Sequence, residues 1–128
     1  MGYKPSTNEK RYHITKGFPK SVVDLLDKAA RGKYEMQLEY THHATDQAIL
    51  YGCRDNLPVT INWGNCYIFE VAVIGGVLDK VVLRTEFDKD NDIILAVNAA
   101  NPRVRTLWIN EKNDKRNERI DLEVYDTP

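Results

Sequence analysis

The chain has 128 residues, which is enough for one hydrophobic core but too short for two, so a single domain is expected. With 42% hydrophobic and 29% charged residues, seven glycines and five prolines, the composition is globular and excludes collagen-like and low-complexity classes. The net charge of −1 argues against a general polyanion binder, so any contact with nucleic acid must be local.

Signals for export or membrane insertion are missing from the sequence. The longest apolar run, at 71–78, is broken by Gly75 and Gly76, whereas a membrane span needs about 20 apolar residues. Residues 1–17 are polar and lack the apolar centre of a signal peptide. The cysteines Cys53 and Cys66 have no CxxC spacing and are expected to be free thiols. These features predict a cytoplasmic protein with no membrane partner.

The N-terminal third predicts an arm followed by a helix. Residues 1–17 contain Pro5 and many polar groups but no apolar period, so they are expected to form a flexible arm before a single domain at 18–128. A helix near 19–31 follows, because apolar residues recur there at helical spacing: Val22, Leu25, Leu26 and Ala29.

The rest of the chain alternates in the manner of strands, with one short helix. Residues 34–40 predict a half-buried strand, and Thr41 is expected to cap a helix at 42–51. Four strands are then predicted near 66–74, 78–87, 92–99 and 103–110, the first two joined by a hairpin turn at Gly75 and Gly76. The final stretch, 111–128, fits either a docked strand or a frayed tail.

Consecutive strands joined by short turns are antiparallel neighbours. The predicted fold is therefore α+β: two helices packed on one face of a four- to five-stranded antiparallel sheet with meander topology.

Four fragments follow one another in the chain: Thr-His-His-Ala-Thr-Asp-Gln-Ala at 41–48, Lys-Val-Val-Leu-Arg-Thr-Glu-Phe-Asp at 80–88, the segment 92–97, and Val-Arg-Thr-Leu-Trp-Ile-Asn at 104–110. In this order they resemble a family of small bacterial and phage domains similar to RelE-like, barnase-like and colicin-type ribonucleases. The resemblance covers roughly residues 41–125 and implies a RelE/barnase-like fold. It also implies a metal-independent endoribonuclease that acts as a toxin or in phage RNA processing.

One position departs from the pattern of that family. The downstream Asn-Asp is present as Asn113 and Asp114, and 121–125 fits the final Asp-x-x-x-Tyr. Where the family carries a histidine between them, this chain has Lys115, Arg116 and Asn117. The missing histidine favours an alternative function, in which a non-catalytic module of the same fold binds a host or antitoxin protein.

The candidate catalytic residues are His43, Arg84 and Thr106. RNA cleavage by the neighbouring 2′-hydroxyl needs a base and cations at the phosphate, and no metal. Imidazole exchanges protons near neutral pH, so His43 is a candidate base, the alternative being a capping or packing residue. Arg84 either binds phosphate or pairs with charges on neighbouring strands.

The candidate RNA-binding residues are Lys80, Arg103 and Arg105. Alternation places Arg103 and Arg105 with Leu107 on one face of the last strand, and Val104, Thr106, Trp108 and Asn110 on the other. Trp108 is either a stacking surface for a base or part of the core. No metal or cofactor is expected, because the histidines and cysteines lack ligand spacing and no glycine-rich phosphate loop follows a strand.

Overall fold

A computed structural model describes residues 8–31, 35–99, 101–113 and 122–128, and these residues are mostly β. The strands are β1 (Glu9–His13), β2 (Glu35–Gln37), β3 (Glu39–Tyr40), β4 (Thr60–Asn62), β5 (Tyr67–Ile74), β6 (Val77–Glu86), β7 (Asn91–Asn98) and β8 (Arg103–Glu111). The helices are α1 (Lys20–Arg31) and α2 (His42–Leu50), with short 3₁₀ turns at Arg54–Asn56, Trp63–Asn65 and Leu122–Val124.

The main sheet has six strands in the order β1-β5-β6-β7-β8-β3, and β2 pairs with β4 in a separate two-stranded ribbon. It is a mixed sheet, because β3 runs parallel to β8 while the other neighbours are antiparallel. The predicted four- to five-stranded antiparallel meander is therefore wrong. Of the two edge strands, β1 is a polar pentapeptide that the sequence analysis assigned to the arm. β3 lies within the strand predicted at 34–40, but the structure divides that segment between β2, in the two-stranded ribbon, and β3, in the main sheet.

The four central strands lie within about one residue of their predicted positions, and β5 to β8 are consecutive antiparallel neighbours. Gly75 and Gly76 connect β5 to β6 with φ angles of 56° and 78°. Positive φ at both central residues is typical of the type I′ hairpin turn, whose twist matches that of the flanking strands. Glycine adopts positive φ without steric cost.

Both ends of the described chain meet at the β1 edge of the sheet. Residues 9–13 pair with β5, so the expectation that the arm holds no element is wrong there, while residues 1–7 lie outside the described residues. The Arg11 amide donates to Asp126 Oδ2 at 2.8 Å, and the Asp126 amide donates to the Arg11 carbonyl at 2.7 Å. Residues 122–128 are thus docked along β1, although not as a strand; residues 114–121 lie outside the described part of the chain.

One face of the sheet carries both helices and the larger core. Val22 of α1 and Ala44 and Ala48 of α2 are buried in it. They pack with inward-facing residues of the central strands, among them Val71, Val81, Leu83, Ile93, Leu95, Val104 and Leu107. Alternation along each strand sends the intervening side chains to the opposite face of the sheet.

Helix α2 also closes the β8 edge beyond the two residues of β3. Thr41 caps the helix as predicted, because its hydroxyl accepts from the Ala44 amide at 3.1 Å. The side-chain oxygen Oε1 of Gln47 accepts from the Leu107 amide at 2.9 Å and from the Thr106 hydroxyl at 2.6 Å. The side chain of a helix residue thereby satisfies the Leu107 amide, which lies on β8 beyond the two residues paired with β3.

Candidate functional site on the open sheet face

A second, smaller apolar cluster lies on the sheet face opposite the helices. Phe69, Val82, Ile94 and Ala96 are buried in it, and Trp108 packs against them half-buried. None of the described helices covers this side, which we call the open face. Trp108 therefore belongs to the open face and not to the helix-side core.

The open face contains a groove of about 330 Å³. Its lining combines the apolar cluster with polar side chains: Phe69, Glu70, Lys80, Val82, Arg84, Ile94, Ala96, Thr106, Trp108 and Asn110. Apolar and aromatic walls with a few polar groups are the usual composition of a small-ligand site, and the volume lies at the lower end of the range for such sites.

Four side chains meet at one end of the groove, and we call them the Glu70 cluster: Glu70, Arg11, Lys80 and Tyr125. The Glu70 carboxylate lies 3.2 Å from Lys80 Nζ and 3.8 Å from Arg11 Nη2, and it accepts a hydrogen bond from the Tyr125 hydroxyl. The Arg11 guanidinium stacks over the Tyr125 ring, 5.3 Å from its centroid. Burial and the hydrogen bond to Glu70 raise the pKa of the Tyr125 hydroxyl, so it stays protonated at neutral pH. The cluster holds a carboxylate, two cations and a hydroxyl donor at one point.

His13 lies buried next to the Glu70 cluster. Its ring contacts Tyr125 and Phe69, with centroid distances of 5.0 and 5.9 Å. Nδ1 accepts a hydrogen bond from the Thr15 amide at 3.1 Å, whereas buried Nε2 has no partner among the described residues. Burial lowers the His13 pKa, an effect that the charge of Glu70 opposes. His13 is therefore a neutral packing partner for the two rings at neutral pH.

Three of the six predicted site residues line the groove: Lys80, Arg84 and Thr106. Lys80 belongs to the Glu70 cluster. Arg84 Nε donates to Asp92 Oδ2 at 2.7 Å, and Nη2 donates to the Glu111 carbonyl at 3.0 Å. Pairing across strands, one of the two interpretations of Arg84, is thus present in the structure. It also fixes the guanidinium beside the groove.

The two remaining predicted RNA-binding residues lie apart from each other. Arg105 Nη2 is 3.3 Å from Asp79 Oδ2, and Arg105 lines a shallow cavity of about 290 Å³ next to the groove, with Lys80 common to both. Arg103 is exposed and lines another cavity, of about 490 Å³, near the start of β8. Lys80 and Arg84 thus line the groove, Arg105 lines the cavity next to it, and Arg103 is absent from both linings.

The predicted strict alternation of side-chain faces along β8 is wrong at Arg105. The register slips between Ala96 and Val97, so that Thr106 pairs with Ala96 and Val104 with Val97, leaving Arg105 as an extra residue. Such a bulge reverses the side-chain faces beyond it. Val104 is therefore buried on the helix side, together with Leu107.

His43, the predicted base, lies exposed in the first turn of α2. The helix buries Ala44 and Ala48 in the helix-side core, while Arg84 lines the open face. His43 thus lies on the helix side of the sheet, whereas Arg84 and Thr106 line the groove on the opposite face. The structure thus joins Arg84 and Thr106 in one groove without His43.

Sequence reasoning missed three members of the Glu70 cluster: Glu70, Arg11 and Tyr125. Glu70 carried a usable signal, because it is a lone acidic residue in an apolar strand, and a carboxylate in such a position needs partners. Arg11 lay in the supposed arm. Tyr125 ends the Asp-x-x-x-Tyr pattern of the resemblance, but it is 55 residues from Glu70 in the chain and no local pattern connects the two.

In the described part of the chain, no group of three or more histidine, cysteine, aspartate or glutamate residues is placed to hold a metal ion. Neither described helix has the length and apolar character needed to cross a membrane. Comparison of the chain with protein families, curated proteins and solved structures finds no match in any of the three.

Proposed function

We propose that the open face binds single-stranded RNA and cleaves it without a metal ion. The observation that carries this proposal is the Glu70 cluster, which holds a carboxylate between two cations at the end of a groove with aromatic walls. A proton acceptor, positive charge for a phosphate and surfaces for bases are the parts that this reaction needs.

In the proposed reaction, the Glu70 carboxylate takes the proton of a 2′-hydroxyl, the role that the sequence suggested for His43. The 2′-oxygen attacks the neighbouring phosphorus and displaces the 5′-oxygen, which takes a proton from water. The products are a 2′,3′-cyclic phosphate and a 5′-hydroxyl. Lys80 and Arg11 stabilise the charge that builds up on the phosphate, and Tyr125 orients the carboxylate through its hydrogen bond.

The other predicted residues take binding roles in this proposal. Arg84 and Thr106 shape the groove wall, and Arg105 extends the cationic track from Lys80 into the neighbouring cavity. A cytoplasmic location is part of the proposal, because it gives access to cellular RNA and suits the free thiols of Cys53 and Cys66.

The test is cleavage of an end-labelled single-stranded RNA in EDTA by four proteins: the wild type, Glu70→Gln, His43→Ala and Glu86→Gln. We expect Glu70→Gln to cut about 10²- to 10⁴-fold more slowly, the usual effect of losing a general base. Glutamine keeps an acceptor for Tyr125, so the fold should survive. Glu86 is an exposed carboxylate on β6 paired with Lys112, and its variant is the matched control.

The variants separate the two candidate bases. We expect His43→Ala and Glu86→Gln to cut at the wild-type rate. Loss of cleavage in a folded His43→Ala protein, with Glu70→Gln unaffected, would return the role of base to His43. A wild-type protein that neither binds nor cuts RNA would overturn the proposal.

The charge pairing on the open face favours a second candidate function. Arg84 is paired with Asp92, Arg105 with Asp79, and Lys80 with Glu70. Neutralised cations attract a polyanion weakly, and a mixed rim of both charges around an apolar groove suits a protein ligand. The alternative is therefore a non-catalytic module that binds a host or antitoxin protein through the same face. Protein capture that Trp108→Ala abolishes, without RNA binding by the wild type, would support it.

A further inference from the structure

Tyr67 extends the aromatic surface of the open face beyond the groove. It pairs across strands with Arg84, a residue of the groove wall, and it lies two residues before Phe69 on β5. The rings of Tyr67 and Phe69 are stacked, with centroids 6.1 Å apart and an angle of 26° between their planes. Tyr67 nevertheless remains 50% exposed, whereas Phe69 is 7% exposed. The Tyr67 ring thus stacks on a buried neighbour while half of the residue stays in water.

Core packing does not explain why Tyr67 is half-exposed at this position. Half-exposed tyrosine contributes little to a core, yet stacking on Phe69 restricts the orientation of its ring. A ring held in this way stacks on a planar ligand at a low cost in side-chain entropy. Every nucleobase has such a planar face, so recognition by stacking tolerates any base sequence.

The surroundings of Tyr67 suit a nucleotide next to the one that would be cut. The Glu70 cluster lies three residues further along β5, and the groove wall of Phe69 lies between. The Arg84 guanidinium across the strand pair is held by Asp92 and by the Glu111 carbonyl, so this stretch of the rim is ordered.

We infer that Tyr67 is the stacking platform for the base of a nucleotide that flanks the scissile position of a single-stranded RNA. This inference rests on the proposed function, since it assumes that RNA occupies the open face. It adds a separate binding subsite with its own residue and predicts that recognition there does not depend on the identity of the base.

The chain offers a matched control for this assignment. Tyr51 at the end of α2 is also 50% exposed, but it belongs to the helix side of the protein. If RNA binding depended on exposed aromatic surface in general, replacing either tyrosine would weaken binding equally. A stacking subsite on the open face requires Tyr67 alone.

The experiment measures binding of a fluorescein-labelled 2′-O-methyl RNA decamer by anisotropy, because this probe has no 2′-hydroxyl to react. We expect Tyr67→Ala to bind about five- to 150-fold more weakly, the range for losing one base stack. Tyr67→Trp should bind at least as tightly as the wild type, and Tyr51→Ala should be unchanged. Circular dichroism melting checks the fold of each variant.

The outcomes distinguish this inference from the proposed function. If the wild type binds the decamer and folded Tyr67→Ala binds equally well, the stacking subsite is refuted while RNA binding on the open face stands. Equal weakening by Tyr51→Ala would also refute it. If the wild type binds no decamer and cuts no RNA, the proposed function and the subsite fail together.

Discussion

Replacing Gln47 with leucine removes the only side-chain oxygen that the described structure places on the β8 edge at Leu107. That oxygen accepts from the Leu107 amide and from the Thr106 hydroxyl. The Leu107 residue is fully buried, so its amide would be left without a partner and without water. An unsatisfied buried donor costs about 1–3 kcal/mol, so we expect the free energy of unfolding to fall by about 2 kcal/mol.

Urea unfolding and thermal melting measure this loss. For a chain of this size, about 2 kcal/mol corresponds to a decrease in Tm of roughly 8 °C. Gln47→Glu is the informative companion, because its carboxylate still accepts both hydrogen bonds and should retain most of the stability. Gln37→Leu, at an exposed position of β2, controls for a glutamine-to-leucine change elsewhere. A Gln47→Leu protein within 0.5 kcal/mol of the wild type, a difference typical of neutral surface substitutions, would refute the role of α2 in closing this edge.

Three further predictions concern the fold. Burial lowers the pKa of His13 in the folded protein below the ordinary histidine value of 6.5. As the pH falls, the unfolded chain is therefore protonated at this histidine before the folded protein is, so the free energy of unfolding is highest above about pH 7 and decreases below about pH 6.5. In His13→Asn, which keeps an acceptor for the Thr15 amide, urea unfolding between pH 7.5 and 5.5 should show a flatter dependence, and an unchanged slope would contradict this assignment. Gly76→Ala should cost about 1 kcal/mol in a thermal melt because φ is 78°, although nothing lies within 4 Å of the added carbon; a neutral result would contradict the left-handed turn. Heteronuclear relaxation should find Glu9–His13 as rigid as β5, and a mobile segment would contradict the β1 pairing.

The sequence predicts the central hairpins well because their signals are local. Alternation sets β5 to β8, and the glycine pair at 75–76 sets the first turn. The edges depend on contacts between distant segments. Alternation predicts a strand at 34–40, but pairing with distant segments divides it into β2, which pairs with β4, and β3, which pairs with β8. The polar strand β1 likewise pairs with β5 without a local signal for a strand.

The candidate site was partly predictable. Arg84 and Thr106 were predicted from the fragments at 80–88 and 104–110 that carry the resemblance, and both line the groove. Glu70 could not be placed by alternation, because the register of β5 slips between Ile68 and Glu70, and Phe69 is the extra residue. Phe69 and Glu70 therefore both line the groove, although strict alternation puts neighbouring residues on opposite faces. Bulges of this kind arise from pairing with the next strand and leave no pattern in the sequence.

The two tryptophans allow the most direct test of the claim that RNA binds the open face. Trp108 lies at the groove, whereas Trp63 is buried in the helix-side core, so their indole N–H resonances report on opposite faces of the sheet. The measurement is a titration of ¹⁵N-labelled protein with a 2′-O-methyl RNA decamer, observed at these two signals. We predict that the Trp108 indole signal shifts in a saturable manner while the Trp63 signal stays in place. A saturable shift at Trp63 with Trp108 unchanged, or no shift at either signal, would contradict the claim.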